Sequence, residues 1–183
     1  MSLAGVRELS LIATPPVDRL SIRTFILPFD GIVIREAIQR EFMRGGQVFY
    51  VCPRIKDLEE VSSYVKSNIK GAKVNIAHGQ LPDKKLEQVM TEFYEGKCNV
   101  LVSSNIIESG LDIPSANTLI IHRSDMFGLS ELYQLRGRVG RSKVRAYAYL
   151  TIPTSRELTP RAEKRLNVMQ SLDGLGAGFS LAS

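Results

Sequence analysis

Short, continuous apolar runs separated by amphipathic stretches constrain this chain more than any other feature. Leu20–Leu27, Val48–Cys52, Lys73–Ala77, Asn99–Val102, Thr118–Ile121 and Ala146–Ile152 read as strands, too short to be helices. Between several of them apolar residues recur at helical spacing: Ile34, Ala37, Ile38 and Phe42; Leu58, Val61, Val65 and Ile69; Leu86, Val89, Met90 and Phe93. Punctuation agrees with that division. Asp30 suits a helix cap, Gly45-Gly46 a helix stop, Pro53 a strand end and Pro82 a first helical position. A last helix is expected from Thr159-Pro160 to Gly174. Strands that are apolar without alternation are covered on both faces, so the pattern predicts an α/β fold, a parallel sheet with helices on both sides. Its crossovers should be right-handed, and its ligands should sit at the carboxyl ends of the strands. No internal repeat or low-complexity linker divides the chain, which reads as one domain with a C-terminal helical extension.

At 183 residues the chain can bury a core of its own. The formal charge of +5 is mild, but it is unevenly spread. Residues 134–165 hold nine Lys and Arg against Glu157 and Glu163, a net +7. Such a concentration suits nucleic acid or nucleotide, without distinguishing them. Cys52 and Cys98 fall in apolar runs and read as buried free thiols, with no partner histidine that would suggest a metal. No signal peptide or membrane-length apolar run is present, so a soluble, cytoplasmic protein is expected.

Within the basic region, Gln134-Leu135-Arg136-Gly137-Arg138-Val139-Gly140-Arg141 alternates arginine with glycine. Leu129, Leu132, Tyr133 and Leu135 fit one face of a helix that would end at this string. Arginines so close repel one another and do not belong in a core. Their planar forks match phosphate oxygens, and the glycines let backbone approach a bulky anion. The alternative for any one Arg-Gly pair is a solvated basic turn.

Two other segments carry candidates. The loop Ser103 to Pro114 contains Ser104, Asn105, Glu108, Gly110 and Asp112. Glu108 and Asp112 are four apart, but Gly110 and Pro114 argue against one helix presenting both. Ser104 or Asn105 as a helix cap and Asp112 as a turn former is the structural alternative. His78-Gly79-Gln80 lies between a strand and the Pro82 helix, where His78 is either a local hydrogen bonder or beside a phosphate held by helix N–H groups.

The pattern Q-x-x-G-R-x-G-R resembles the last motif of superfamily 2 helicases, and the Ser104–Asp112 loop resembles their motif V. That resemblance implies a RecA-like fold, specifically the second of two motor lobes. It implies Arg138 and Arg141 as arginine fingers, and Gly110, Asp112, Glu108 and Gln134 beside ATP. It also implies Ser104, Asn105, His78, Gly79 and Gln80 on the DNA backbone. Ser104 replaces the commoner threonine and keeps the hydroxyl. The chain has no G-x-x-x-x-G-K-[ST] and no D-E-x-H string; Gly96-Lys97 lacks the earlier glycine and precedes Cys98. ATP and Mg²⁺ would therefore be bound mainly by an N-terminal lobe, and this chain alone should be inactive.

Within the superfamily, Arg7 to Pro16, Arg44 to Tyr50 and Leu172 to Phe179 resemble a branch that translocates on double-stranded DNA. The resemblance to that branch implies displacement of stalled RNA polymerase and recruitment of nucleotide-excision repair proteins through other domains. A branch-migrating fork helicase, or a non-catalytic binding module, is the alternative. On this reading Met1-Ser2-Leu3 is an added start, 4–158 the RecA-like lobe, and 159–183 the truncated start of a helical translocation hairpin.

Overall fold

The computed structural model describes residues 22–104, 116–140 and 143–173. Six strands and five α-helices follow the expected alternation: β1 (Ile22–Pro28), α1 (Gly31–Met43), β2 (Gln47–Cys52), α2 (Leu58–Asn68), β3 (Val74–Ala77), α3 (Asp83–Tyr94), β4 (Val100–Ser104), β5 (Ala116–Ile121), α4 (Leu129–Arg136), β6 (Ala146–Ile152) and α5 (Pro160–Asp173). The strands form one sheet in the order β1-β6-β5-β2-β4-β3, and every pairing is parallel. The last strand pairs with the first, which forms one edge of the sheet.

Every residue of β2, β4 and β5 is buried, which is why those runs do not alternate. Alternate side chains instead feed two cores. Val48, Tyr50, Val100, Val102, Ile120 and Tyr149 meet α1 and α2 through Ile34, Ile38, Leu58 and Val65. Phe49, Val51, Leu101, Leu119, Ile121 and Leu150 meet α3, α4 and α5 through Phe93, Leu132, Leu135, Leu166 and Met169. α5 thus packs into the same core as the lobe.

Local signals hold with small shifts. Asp30 caps α1, accepting from Ile32 N at 2.9 Å. Gly45 takes φ +78 just past α1, and Gly46 N bonds back to Glu41 O at 3.0 Å, a glycine-dependent helix stop. Pro82 stands one residue earlier than expected, at the cap with ψ 147, because Asp83 begins the helix. Tyr133 departs from expectation: it is exposed, while Leu132 and Leu135 are buried. Successive helical residues point about 100° apart, so Leu132 and Tyr133 cannot share one core-facing line. Cys52 and Cys98 are both buried free thiols.

Candidate functional site

Those of the predicted residues that the structure describes separate onto the two ends of the sheet. Ser104 closes β4, and His78 follows β3 directly; Ala77 pairs with Ser103, so both candidates stand side by side at the carboxyl edge. The sequence treated them as separate segments, and strand pairing brings them together. Among the described residues, the buried Ser104 hydroxyl has no hydrogen-bond partner. His78 instead has a local role, as its ring Nδ1 accepts from Gln80 N at 3.2 Å and its carbonyl from Leu81 N at 3.2 Å. Gly79 and Gln80 are exposed beside it.

The other end of the sheet holds the arginine string. α4 runs antiparallel to the strands, so its C-terminus and the turn after it reach the amino ends of β1 and β6. The arginine string thus stands away from the carboxyl ends, because it follows a helix rather than a strand. Ser104 and the turn are separated by the length of the strands, roughly 15–20 Å.

That turn is built with little freedom. α4 is started by Glu131, whose Oε1 accepts from Gly128 N at 2.8 Å. The loop before it is held by Arg165 of α5, which donates to Phe127 O and Asp125 O, each at 3.0 Å. Arg165 was counted in the basic cluster, but its guanidinium serves the fold. After α4, Gly137 N bonds to Tyr133 O and Arg138 N to Leu135 O, both at 3.0 Å. Val139 is buried in the core below. Gly140 takes φ +80, against Ile22 and Ala146. Arg138 is partly exposed and Gln134 exposed, on a backbone anchored before and after them. Asn105, Glu108, Gly110, Asp112 and Arg141 lie outside the described residues.

At the carboxyl edge, Arg54 and Arg123 are each paired with a carboxylate. Arg54 makes a two-point ion pair with Asp57 at 3.0 and 3.1 Å, and Arg123 another with Asp125 at 3.1 and 3.0 Å. Burial, opposed by the Asp57 carboxylate, pushes His122 below its usual range. Among the described residues, no group of three or more His, Cys, Asp or Glu could hold a metal ion. No described helix is long and apolar enough to cross a membrane. Arg138, the described arginine at the end of the string, stands part-exposed on a turn held on both sides.

Residues 32–143, more than half of the chain, match the family described as the helicase conserved C-terminal domain. The chain belongs to that family. This helicase C-terminal domain is 52% identical over its full 183 residues to the transcription-repair-coupling factor of Myxococcus xanthus, 50% to that of Rickettsia bellii (strain RML369-C) and 48% to that of Escherichia coli (strain K12). It spans only 15–16% of the length of these relatives. RecG bound to a three-way DNA junction matches 91% of the domain and 22% of the RecG chain, with a TM-score of 0.74 and 36% identity. The C-terminal domain of the DEAD-box protein Dbp5 matches 87% of it and 88% of the Dbp5 chain, TM-score 0.60 and 19% identity. That last likeness concerns the fold, and the RecA-like parallel sheet is common to both.

Proposed function

We propose that this domain is the second motor lobe of an ATP-dependent double-stranded DNA translocase of the transcription-repair-coupling type. The observation that carries it is the division of the candidate residues between the ends of the sheet. A buried serine hydroxyl without a described partner stands at the carboxyl edge, and an anchored arginine turn stands at the amino end. Two ligands bound so far apart can be coupled by one rigid body. Ser104 and Asn105, with the His78-Gly79-Gln80 turn, take DNA phosphates. Arg138 and Arg141 enter a cleft against an N-terminal lobe that holds ATP and Mg²⁺, with Gly110, Asp112, Glu108 and Gln134 lining the nucleotide.

In that cleft the arginine forks neutralise charge that develops on the transferred phosphoryl group. Closure and opening of the cleft move the sheet as a unit, so Ser104 shifts along the DNA by a step set by the lobe rotation. Contacts to phosphates make this translocation indifferent to sequence. In the complete protein such movement would push stalled RNA polymerase and bring in excision-repair proteins through other domains. The likeness to RecG favours one second reading, a lobe that remodels branched DNA, since that match covers most of the domain. The higher identity to transcription-repair-coupling factors supports the first.

The test is DNA-stimulated ATP hydrolysis by the complete motor carrying Arg138→Ala. Turnover should collapse while DNA binding persists; full turnover in that variant would sink the finger assignment.

A further inference from the structure

The return from the arginine turn into β6 is clamped by a residue 101 positions earlier in the chain. Arg44, at the end of α1, donates from Nη1 to the main-chain carbonyl of Arg145 at 2.7 Å. Its Nη2 bonds the Glu41 carboxylate, which is 1% exposed and also accepts from Thr118 Oγ1 in β5. The same guanidinium lies 5.3 Å from the centre of the Tyr147 ring. Carboxylate, carbonyl and ring therefore hold it on three sides. Arg44 itself is the cap residue of α1, set by the Gly45-Gly46 stop, so neither end of this link is loose.

We propose that Arg44 is a positioning residue for the Arg138 finger, acting through the Arg145 carbonyl. The inference rests on reading the turn as the finger-bearing element. Entry to the turn is fixed by α4, and its middle by Val139 and Gly140 in the core. Past Gly140 the chain passes the exposed Lys143 and Val144 before reaching β6. The Arg145 carbonyl lies one residue outside the β6 ladder. The Arg44 fork is what ties that carbonyl to the lobe's other face, through buried Glu41 and the sheet residue Thr118. Arginine is required for the task. A lysine can reach the carbonyl or the carboxylate, but as a point charge it cannot fork to both and lie over Tyr147.

A finger acts only when its fork meets the phosphoryl oxygens, and a displacement of about 1 Å can cost on the order of a hundredfold in rate. Loosening one side of the turn, with the Gly140 anchor intact, should cost less, about tenfold.

The experiment uses the complete protein with Arg44→Ala, Arg44→Lys and, as a charge control on the same helix, the exposed Arg35→Ala. Two readouts are taken: peptide-resolved hydrogen–deuterium exchange, and kcat and KM for ATP at saturating DNA. Arg44→Ala should speed exchange in residues 137–145 alone and lower kcat about tenfold with KM for ATP within about twofold. Arg44→Lys should fall between Arg44→Ala and the unaltered protein, and Arg35→Ala should change neither readout. Unchanged exchange at 137–145, exchange that also quickens through β2 and β5, or faster local exchange with unaltered kcat would each overturn the proposal. The finger reading fails separately, by full turnover in Arg138→Ala, which leaves the exchange result standing on its own.

Discussion

Gly140 leaves no room for a side chain against Ile22: a Cβ built on it would stand 2.8 Å from Ile22 Cγ1 and 3.2 Å from the Ala146 Cβ. Its φ of +80 adds a conformational demand to the steric one. The glycine that looks on paper like a phosphate-facing spacer is therefore also the point where the arginine turn is seated on β1 and β6. Gly140→Ala should destabilise the chain by roughly 2–4 kcal/mol, from left-handed strain plus overpacking. Gly45 has φ +78 but nothing within 4 Å of a built Cβ, so Gly45→Ala isolates the first cost, about 1 kcal/mol. Urea unfolding of both variants checks this. Equal losses would mean that Ile22 moves aside freely.

Replacing Arg138 or Arg141 by alanine in the complete motor should lower kcat about a thousandfold, roughly 4 kcal/mol of barrier. Lysine at either position should restore little of it, since a point charge lacks the planar fork. The chain by itself should release no phosphate from ATP, with or without DNA. A DNA-stimulated rate that persists through re-purification would contradict this.

DNA binding by the chain should weaken as salt rises, because its contacts go to phosphates. The cluster at 134–165 does not contribute evenly. Lys143 and Arg161 are exposed, whereas the Arg165 guanidinium is spent on the carbonyls of Asp125 and Phe127. Lys143→Ala or Arg161→Ala should reduce the slope of log affinity against log salt by about one where that residue meets a phosphate. Arg165→Ala should leave the slope alone and lower stability instead. Titrations at several salt concentrations, beside urea melts, separate the two outcomes.

Burial pushes the Cys52 thiol up to about 12, with the Asp57 carboxylate adding to the rise, and burial pushes Cys98 up to about 11 against two backbone hydrogen bonds. The folded state holds these protons more tightly than the unfolded one does. Their contribution to stability is thus complete below pH 9 and is lost as pH climbs towards those values. For Cys52 the loss between pH 8 and pH 10 should be on the order of 1 kcal/mol. Urea unfolding at both pH values, compared with Cys52→Ala, reads it; an identical pH slope in the variant would refute the assignment. Native-state labelling of either thiol at pH 8 should be slow until the chain unfolds.

The alternation of strands and helices, the parallel sheet and the arginine-glycine string are all legible in the residue order. Those features are local: continuous burial removes alternation in β2, β4 and β5, and capping at Asp30 or stopping at Gly45 depends on neighbouring backbone alone. Tertiary structure decided where the candidates stand. Nothing in the spacing of His78 and Ser104 shows that β3 and β4 are neighbours, since pairing is settled by packing between distant segments. Nor does a run of arginines disclose which guanidinium faces inward. Arg165 holds carbonyls and Arg44 clamps Arg145 across 101 residues because the buried groups they meet come from other elements. A charged side chain reads from sequence as a surface residue; its partner, once folding brings the two together, gives it a place in the fold.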